Sequence, residues 1–317
     1  MAAPERWDEA CFAVPALRAL MASGLGLGVI CRDEQKEFWE TLPGLQVLAF
    51  PAKTKPKAAA ATVKGAWQAA LVWEDGFAAK VAKLAGVPRR LGPNERKLVR
   101  RLTHPLVAAE KPLEHRVRFY LSAVEEMGID TLNPQFYAPA DLGIQSEPNT
   151  FLLSPDSDFG PSHEWPWERW LEIARGLIES GRRVSIAGVD GGRGLGKSLA
   201  TRLGESIEFI QASPVSGALP MLAARRFVIA ADGSLPHLAA HVGATCITLF
   251  GPNDPVWKRP LGKRHAVVKR HVECAPCLLA KCPLDLRCQH ELETARVQAA
   301  IVEKLSGGTT LLWSKRM

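Results

Sequence analysis

The stretch from Phe227 to Ala240 concentrates side chains that could do chemistry. An apolar run, Phe227-Val-Ile-Ala-Ala, ends at Asp232, Gly233 and Ser234 follow, and His237-Leu-Ala-Ala comes after Pro236. A buried strand that ends in an acid and turns at once into a helix leaves free backbone N–H groups. Those of Gly233, Ser234 and Leu235 would attract a phosphate. His237, in the first turn of that helix, would face the same cleft. The alternative is that Asp232 caps the helix and His237 simply packs.

Two further patterns compete for attention. Gly191-Gly-Arg-Gly-Leu-Gly196-Lys197-Ser198 fits the phosphate-loop pattern G-x-x-x-x-G-K-[ST], after an expected strand and before an expected helix. In a P-loop ATPase Lys197 would reach the terminal phosphates, Ser198 would hold magnesium, and Asp232 would be the second metal residue. Against this, such a loop normally follows the first strand of its domain, and this one follows the second. Cys274, Cys277, Cys282 and Cys288 form a C-x2-C-x4-C-x5-C run. Four thiolates could hold a structural zinc or an iron–sulfur cluster, but the spacing matches no well-defined finger, and reduced thiols in a loop are the other reading.

The elements that must position these residues are legible as an alternation. Leu25 to Cys31, Val47 to Phe50 and Ala69 to Trp73 read as strands, with helices near Ala10 to Ser23, Phe77 to Ala85 and within Lys111 to Gly128. After a polar, Pro-containing linker from Asn133 to Asn149, strands are expected at Phe151 to Ser154, Val184 to Ala187, Ile207 to Ile210, Phe227 to Ala230 and Cys246 to Phe250. A last helix is expected near Glu291 to Leu305. Trp167, Trp170, Leu171, Ala174, Leu177 and Ile178 share one face of the helix after Pro166, so the tryptophans read as core. Alternating strands and helices make parallel sheets. The expected fold is α/β: two Rossmann-like domains, residues 1–145 and 146–317, facing across a ligand cleft.

These residues resemble glycosyltransferase family 9, the heptosyltransferases. The resemblance is carried by Asp232 with its small pair and His237-Leu-Ala-Ala, by Phe250-Gly251-Pro, by Val14-Pro-Ala-Leu-Arg-Ala-Leu20, by Leu84 to Gly92, by Ser162-His-Glu-Trp-Pro166 and by the cysteine segment. It implies a GT-B architecture with an acceptor-binding first domain and a nucleotide-sugar-binding second domain. The implied reaction is inverting transfer of a heptose from an ADP-sugar donor to a lipopolysaccharide inner-core acceptor, with no metal required. By position, Ser162, His163, Asp232, Gly233, Ser234, Leu235 and His237 would bind the donor. His163 stands where the family commonly has Lys, and the small pair Gly233-Ser234 is inverted in order. The family's catalytic base falls on Glu9, with Asp8 beside it; both acids would also favour a helix amino terminus. The family's first strand precedes that pair, and here Met1 to Trp7, with Pro4 inside it, leaves that strand shortened or missing. A member degenerate in this region would bind donor without efficient catalysis.

Composition bounds the rest. The chain has 317 residues, 47% hydrophobic and 23% charged, and a net charge of +7. That is globular rather than disordered, and the excess of positive charge points to an anionic partner. Lys53, Lys55, Lys57, Lys64, Arg89, Arg90, Arg96, Lys97, Arg100 and Arg101 all fall in the first domain. The resemblance gives that charge a target in the phosphorylated acceptor rather than nucleic acid. With no apolar run near the ~20 residues of a membrane span and no signal-like start, a cytoplasmic protein in peripheral contact with the inner membrane is expected.

Overall fold

The computed structural model describes residues 1–107, 114–212 and 215–306. The first half runs α1 (Trp7–Ala22), β1 (Gly28–Arg32), α2 (Lys36–Glu40), β2 (Gln46–Phe50), α3 (Pro56–Val63), β3 (Ala69–Leu71), α4 (Phe77–Leu84), β4 (Arg89–Pro93), β5 (His104–Leu106) and α5 (Val117–Glu125). The second half begins β6 (Glu147–Ser154), α6 (Trp167–Glu179), β7 (Arg183–Gly188), α7 (Leu195–Leu203), β8 (Glu208–Gln211) and α8 (Leu219–Ala223). It continues β9 (Arg225–Ala231), α9 (Ser234–His241), β10 (Thr245–Phe250), α10 (Pro255–Lys258), β11 (Ala266–Lys269), α11 (Arg287–His290) and α12 (Thr294–Leu305).

The second-half sheet has six parallel strands in the order β11-β10-β9-β6-β7-β8. Helices cover it, so its central strands are buried on both faces: all six residues of β10 and the last five of β9 are inaccessible. β6 starts earlier than expected, at Glu147, with Asn149 at φ 62° beside a register shift against β9. In α6, Trp170, Ile173, Ala174 and Leu177 face the core, and Trp170 meets Trp165 edge-on at 5.6 Å.

The first-half strands form a β1–β2 pair and a β3–β4–β5 sheet, both parallel. Residues 1–3 sit between them. The Ala2 amide donates to Leu71 O (2.8 Å), the Ala3 amide to Ile30 O (2.9 Å), and the Ile30 amide to Met1 O (2.9 Å). The first strand is therefore short but present, and with it this sheet repeats the strand order of the second half. The sequence did not announce β4, β5 or β11, whose short, partly exposed runs carry little periodic signal. Of the helix expected within Lys111 to Gly128, residues 111–113 lie outside the described residues.

The helix α1 packs against both α5 and α9, so one hydrophobic core runs from Phe12 and Leu17 to Leu235 and Leu238. This packing fixes the amino end of α1 close to that of α9. Among the described residues no helix is long and apolar enough to cross a membrane.

Candidate functional site

In a doubly wound sheet, ligands bind where the strand order reverses, beyond the carboxyl ends of the strands. Here that point lies between β6 and β9. The segment after β6 and the turn after β9 form one wall of a cleft of about 590 Å³; Glu5, Arg6 and Trp7, leading into α1, form the other.

Asp232 closes β9 and is fully buried. Its Oδ2 accepts hydrogen bonds from His163 Nδ1 (3.0 Å) and Asn253 Nδ2 (2.7 Å), while Oδ1 is buried without a partner among the described residues. Burial pushes the Asp232 carboxyl up, and these two donors offset part of that cost. Because His163 uses Nδ1 on Asp232, Nε2 is the nitrogen left for a ligand in the cleft that His163 lines.

The amino end of α9 opens onto the same cleft through Ser234. The Ser234 amide donates to Asp158 Oδ1 (2.8 Å), so a carboxylate already occupies the helix end where an anion would bind. A Cβ on Gly233 would come within 2.8 Å of that oxygen, which explains a glycine there. The loop carrying Asp158 ends at Gly160, with φ 115°, where a side chain would collide with Ala280 O at 2.6 Å.

Beside the Glu5–Trp7 wall, Asp8 and Glu9 occupy the first turn of α1; both are buried, and neither lines the cleft itself. Asp8 is bound by Arg6 (3.0 and 3.1 Å) and by Lys258 Nζ (2.9 Å). Burial works to raise its pKa, but Lys258 and Arg6 outweigh it and hold the carboxyl at about 2. Glu9 Oε2 accepts from Arg116 (2.8 Å) and from the Tyr120 hydroxyl (2.6 Å), and Oε1 from Lys258 (3.3 Å). Burial, then the charge of Glu9, raises the Tyr120 phenol well above its usual range, so it remains a donor. A carboxylate held in this way can accept a proton from a hydroxyl brought into the cleft.

Other expected site residues lie elsewhere. Ser162 is buried behind the cleft wall, its amide on Ala280 O (3.1 Å) and its carbonyl accepting from Gln289 (3.2 Å), with a hydroxyl that has no partner among the described residues. The Leu235 side chain belongs to the hydrophobic core. His237 does not line the cleft, contrary to expectation. It turns toward α1, edge-on to Phe12 at 5.0 Å, against a separate cavity of about 30 Å³. Burial lowers its pKa to about 3, and neither ring nitrogen has a partner among the described residues; the packing of α9 on α1 overrides its position in the first turn.

The phosphate-loop reading fails on geometry. The amino end of α7 is filled by Asp156, which accepts from the Leu195 amide (2.7 Å) and the Gly196 amide (3.0 Å), and Glu164 takes the Arg193 amide (3.0 Å). Both acids are buried, Ser198 turns back onto Gly194 O (3.0 Å), and Lys197 is exposed. A nucleotide phosphate would have to displace buried carboxylates. Lys197→Ala should therefore leave nucleotide affinity within about twofold, as expected for an exposed surface change; a titration showing lost binding would restore this loop as a site.

Cys274 is exposed, Cys277 and Cys282 are half-buried and Cys288 is buried. Burial, with the other three thiols nearby, pushes Cys288 up to about 11. Among the described residues no three His, Cys, Asp or Glu side chains are grouped for a metal.

The sequence did not single out Arg6, Arg116, Tyr120, Asp158, Asn253 or Lys258. Asn253 was legible in principle, since it lies in Gly251-Pro-Asn-Asp-Pro255 just after a buried strand. Arg116, Tyr120 and Lys258 reach the site only through tertiary packing and carry no local signal.

A model of glycosyltransferase family 9 (heptosyltransferase) matches residues 103–287, more than half of the chain. Lipopolysaccharide heptosyltransferase 1 of Pseudomonas aeruginosa is 24% identical over 285 residues, 87% of this chain and 77% of that protein. The solved E. coli ADP-heptose lps heptosyltransferase II superposes with a TM-score of 0.79 at 19% identity, covering 96% of this chain and 98% of that one. E. coli heptosyltransferase WaaC, solved with ADP, gives a TM-score of 0.74 at 18% identity, with 96% of this chain and 98% of that one covered. With its two parallel α/β sheets and the cleft between them, the chain belongs to glycosyltransferase family 9, the heptosyltransferases, and is a glycosyltransferase of GT-B fold.

Proposed function

We propose that this enzyme transfers a heptose from ADP-heptose to the lipopolysaccharide inner core with inversion, the first half (1–145) taking the acceptor and the second half (146–317) the donor. The observation that carries the reading is the amino end of α9, beside Asp232 and His163, opening onto a cleft that Glu5 to Trp7 of the α1 side close. Support for the donor comes from WaaC, a relative of the same fold solved with ADP. Glu9 is the base: it takes the proton of an acceptor hydroxyl as that oxygen attacks the anomeric carbon and the bond to the diphosphate breaks. The leaving group carries away the bonding pair, and the Gly233 to Leu235 amides, His163 and Arg6 meet its negative charge. With those donors in place the reading requires no metal. Ser162 acts through its backbone, which holds His163 in the wall.

Glu5 also lines a second pocket of about 260 Å³ with Arg32, Gln35 and Phe77, which gives the acceptor a route from the first half into the cleft. Lys53, Lys55, Lys57 and Lys64 are exposed on and around α3, suited to an anionic, lipid-borne acceptor and to peripheral contact with the inner membrane. Arg100 and Arg101 instead pair with Asp75 (2.6 and 2.8 Å).

Incubation with ADP-heptose and a Kdo–lipid A acceptor should release ADP and yield product of inverted anomeric configuration by NMR. Product of retained configuration, or an unconsumed donor, would overturn the reading. Because Asp158, itself exposed, holds the α9 amide that a diphosphate needs, Asp158→Ala should tighten ADP binding by about three- to tenfold, matching the roughly 0.5–1.5 kcal/mol net of an ordinary hydrogen bond. Weaker binding would instead make Asp158 part of the donor site.

A further inference from the structure

Lys258 comes from the short helix α10, in the second half of the chain, yet its ammonium is buried against the first turn of α1. It touches Asp8 Oδ2 at 2.9 Å and Glu9 Oε1 at 3.3 Å, a direct ionic link between the two halves. The two oxygens of Glu9 are not equivalent. Oε2 is taken up by Arg116 and Tyr120, whereas Oε1 meets Lys258 by a longer contact, which leaves Oε1 as the oxygen able to receive a proton.

The remaining charged groups around this pair come from every neighbouring element. Arg6 precedes α1 and binds Asp8; Arg116 and Tyr120 come from the start of α5 and from its body. Glu74 and His115 feel the charge of Glu9, His237 of α9 feels Asp8, and Asp158 faces Arg6. Glu74, Asp158 and Asp232 add negative charge, His237 is held neutral by burial, Arg6 binds Asp8 and acts on Glu9 at longer range, and Lys258, among the described residues, is the cation in direct contact with both acids. Two adjacent buried carboxylates without such a cation would repel, and one would take up a proton.

The position of Lys258 is itself built. The Asp254 side chain caps α10 by accepting from the Val256 amide (2.9 Å), and the Lys258 amide donates to Asp254 O (2.9 Å). The residue before Asp254, Asn253, donates to Asp232. One short loop thus contacts the donor-side acid at one end and the α1 acids at the other.

We propose that Lys258 is a positioning residue for the reaction: reaching across from the donor half, it holds Asp8 and Glu9 side by side as carboxylates and aims Glu9 Oε1 at the acceptor hydroxyl. This rests on the reading of Glu9 as the base. Lys258 does not bind the diphosphate in this account, so its effect belongs to turnover and not to donor affinity.

The test is the pH dependence of kcat, with ADP affinity measured in parallel, for the wild type, Lys258→Gln, Lys258→Arg and Glu9→Gln. Gln keeps a hydrogen-bond donor in the buried site and removes the charge. It should move the acidic limb of the profile up by about one pH unit, so that the loss of kcat approaches tenfold on that limb and fades to less than threefold at pH 9, with ADP affinity within threefold. Arg should restore the wild-type profile. A uniform loss of kcat at every pH would reduce Lys258 to a structural role, and a tenfold loss of ADP affinity would make it a diphosphate ligand; either overturns the proposal. Retention of turnover by Glu9→Gln would sink the base assignment itself, which separates that failure from one confined to Lys258.

Discussion

Glu9→Gln should lower kcat by about 10²- to 10⁴-fold, the usual contribution of a positioned general base, while ADP affinity is retained. The substitution is nearly isosteric. The Gln amide can keep one oxygen toward Arg116 and Tyr120, whose donors otherwise hold Glu9 Oε2. What it cannot do is accept a proton from an acceptor hydroxyl. Steady-state kinetics with saturating donor, together with calorimetric ADP binding, separate the two effects. Equal losses in turnover and ADP affinity would mean that Glu9 organises the cleft rather than reacting in it.

Asp232→Ala is the second large effect, and it should act on the donor side. The change strips His163 and Asn253 of the buried acceptor they share and removes the unpartnered Oδ1, an acceptor suited to a donor hydroxyl. Each charge-assisted hydrogen bond contributes roughly 1.5–3 kcal/mol, so kcat/KM for the donor should fall by about 10- to 100-fold, since 1.4 kcal/mol is a factor of ten. Thermal stability should fall as well, because His163 remains buried without that acceptor. A variant with unchanged kcat/KM for the donor would place the sugar elsewhere in the cleft.

The parts of this site that the sequence announced were those built by local rules. Asp232 follows a run of buried residues and precedes a helix, so strand, acid and helix amino end could be read directly from residue order. The same held for Asp8 and Glu9 at the start of a helix, although their role came from family resemblance. His237 shows the limit: its place in a first turn was legible, but which way it faced depended on α9 packing against α1. The eight-residue Gly-rich match at 191–198 shows the converse. It has the right composition and neighbouring elements, yet Asp156, some 40 residues away in sequence, fills the helix end it would need. Short strands such as β5 (His104–Leu106) and β11 (Ala266–Lys269) left no periodic trace, because three or four partly exposed residues cannot establish an alternation.

Electrostatic organisation was the least legible feature. A net charge of +7 predicted an anionic partner without saying where it would bind. In the folded chain, Arg6, Arg116 and Lys258 come together from segments more than 100 residues apart and surround two adjacent acids. Only the packing of α1 between α5 and α9 makes that cluster possible.

The central claim is that the cleft at the amino end of α9 binds an ADP-sugar without help from a metal or from the 191–198 loop. Calorimetric titration with ADP, ADP-heptose and ATP, each with and without magnesium, tests it most directly. The account predicts binding of ADP and ADP-heptose that is indifferent to magnesium; binding of magnesium-ATP alone would contradict it.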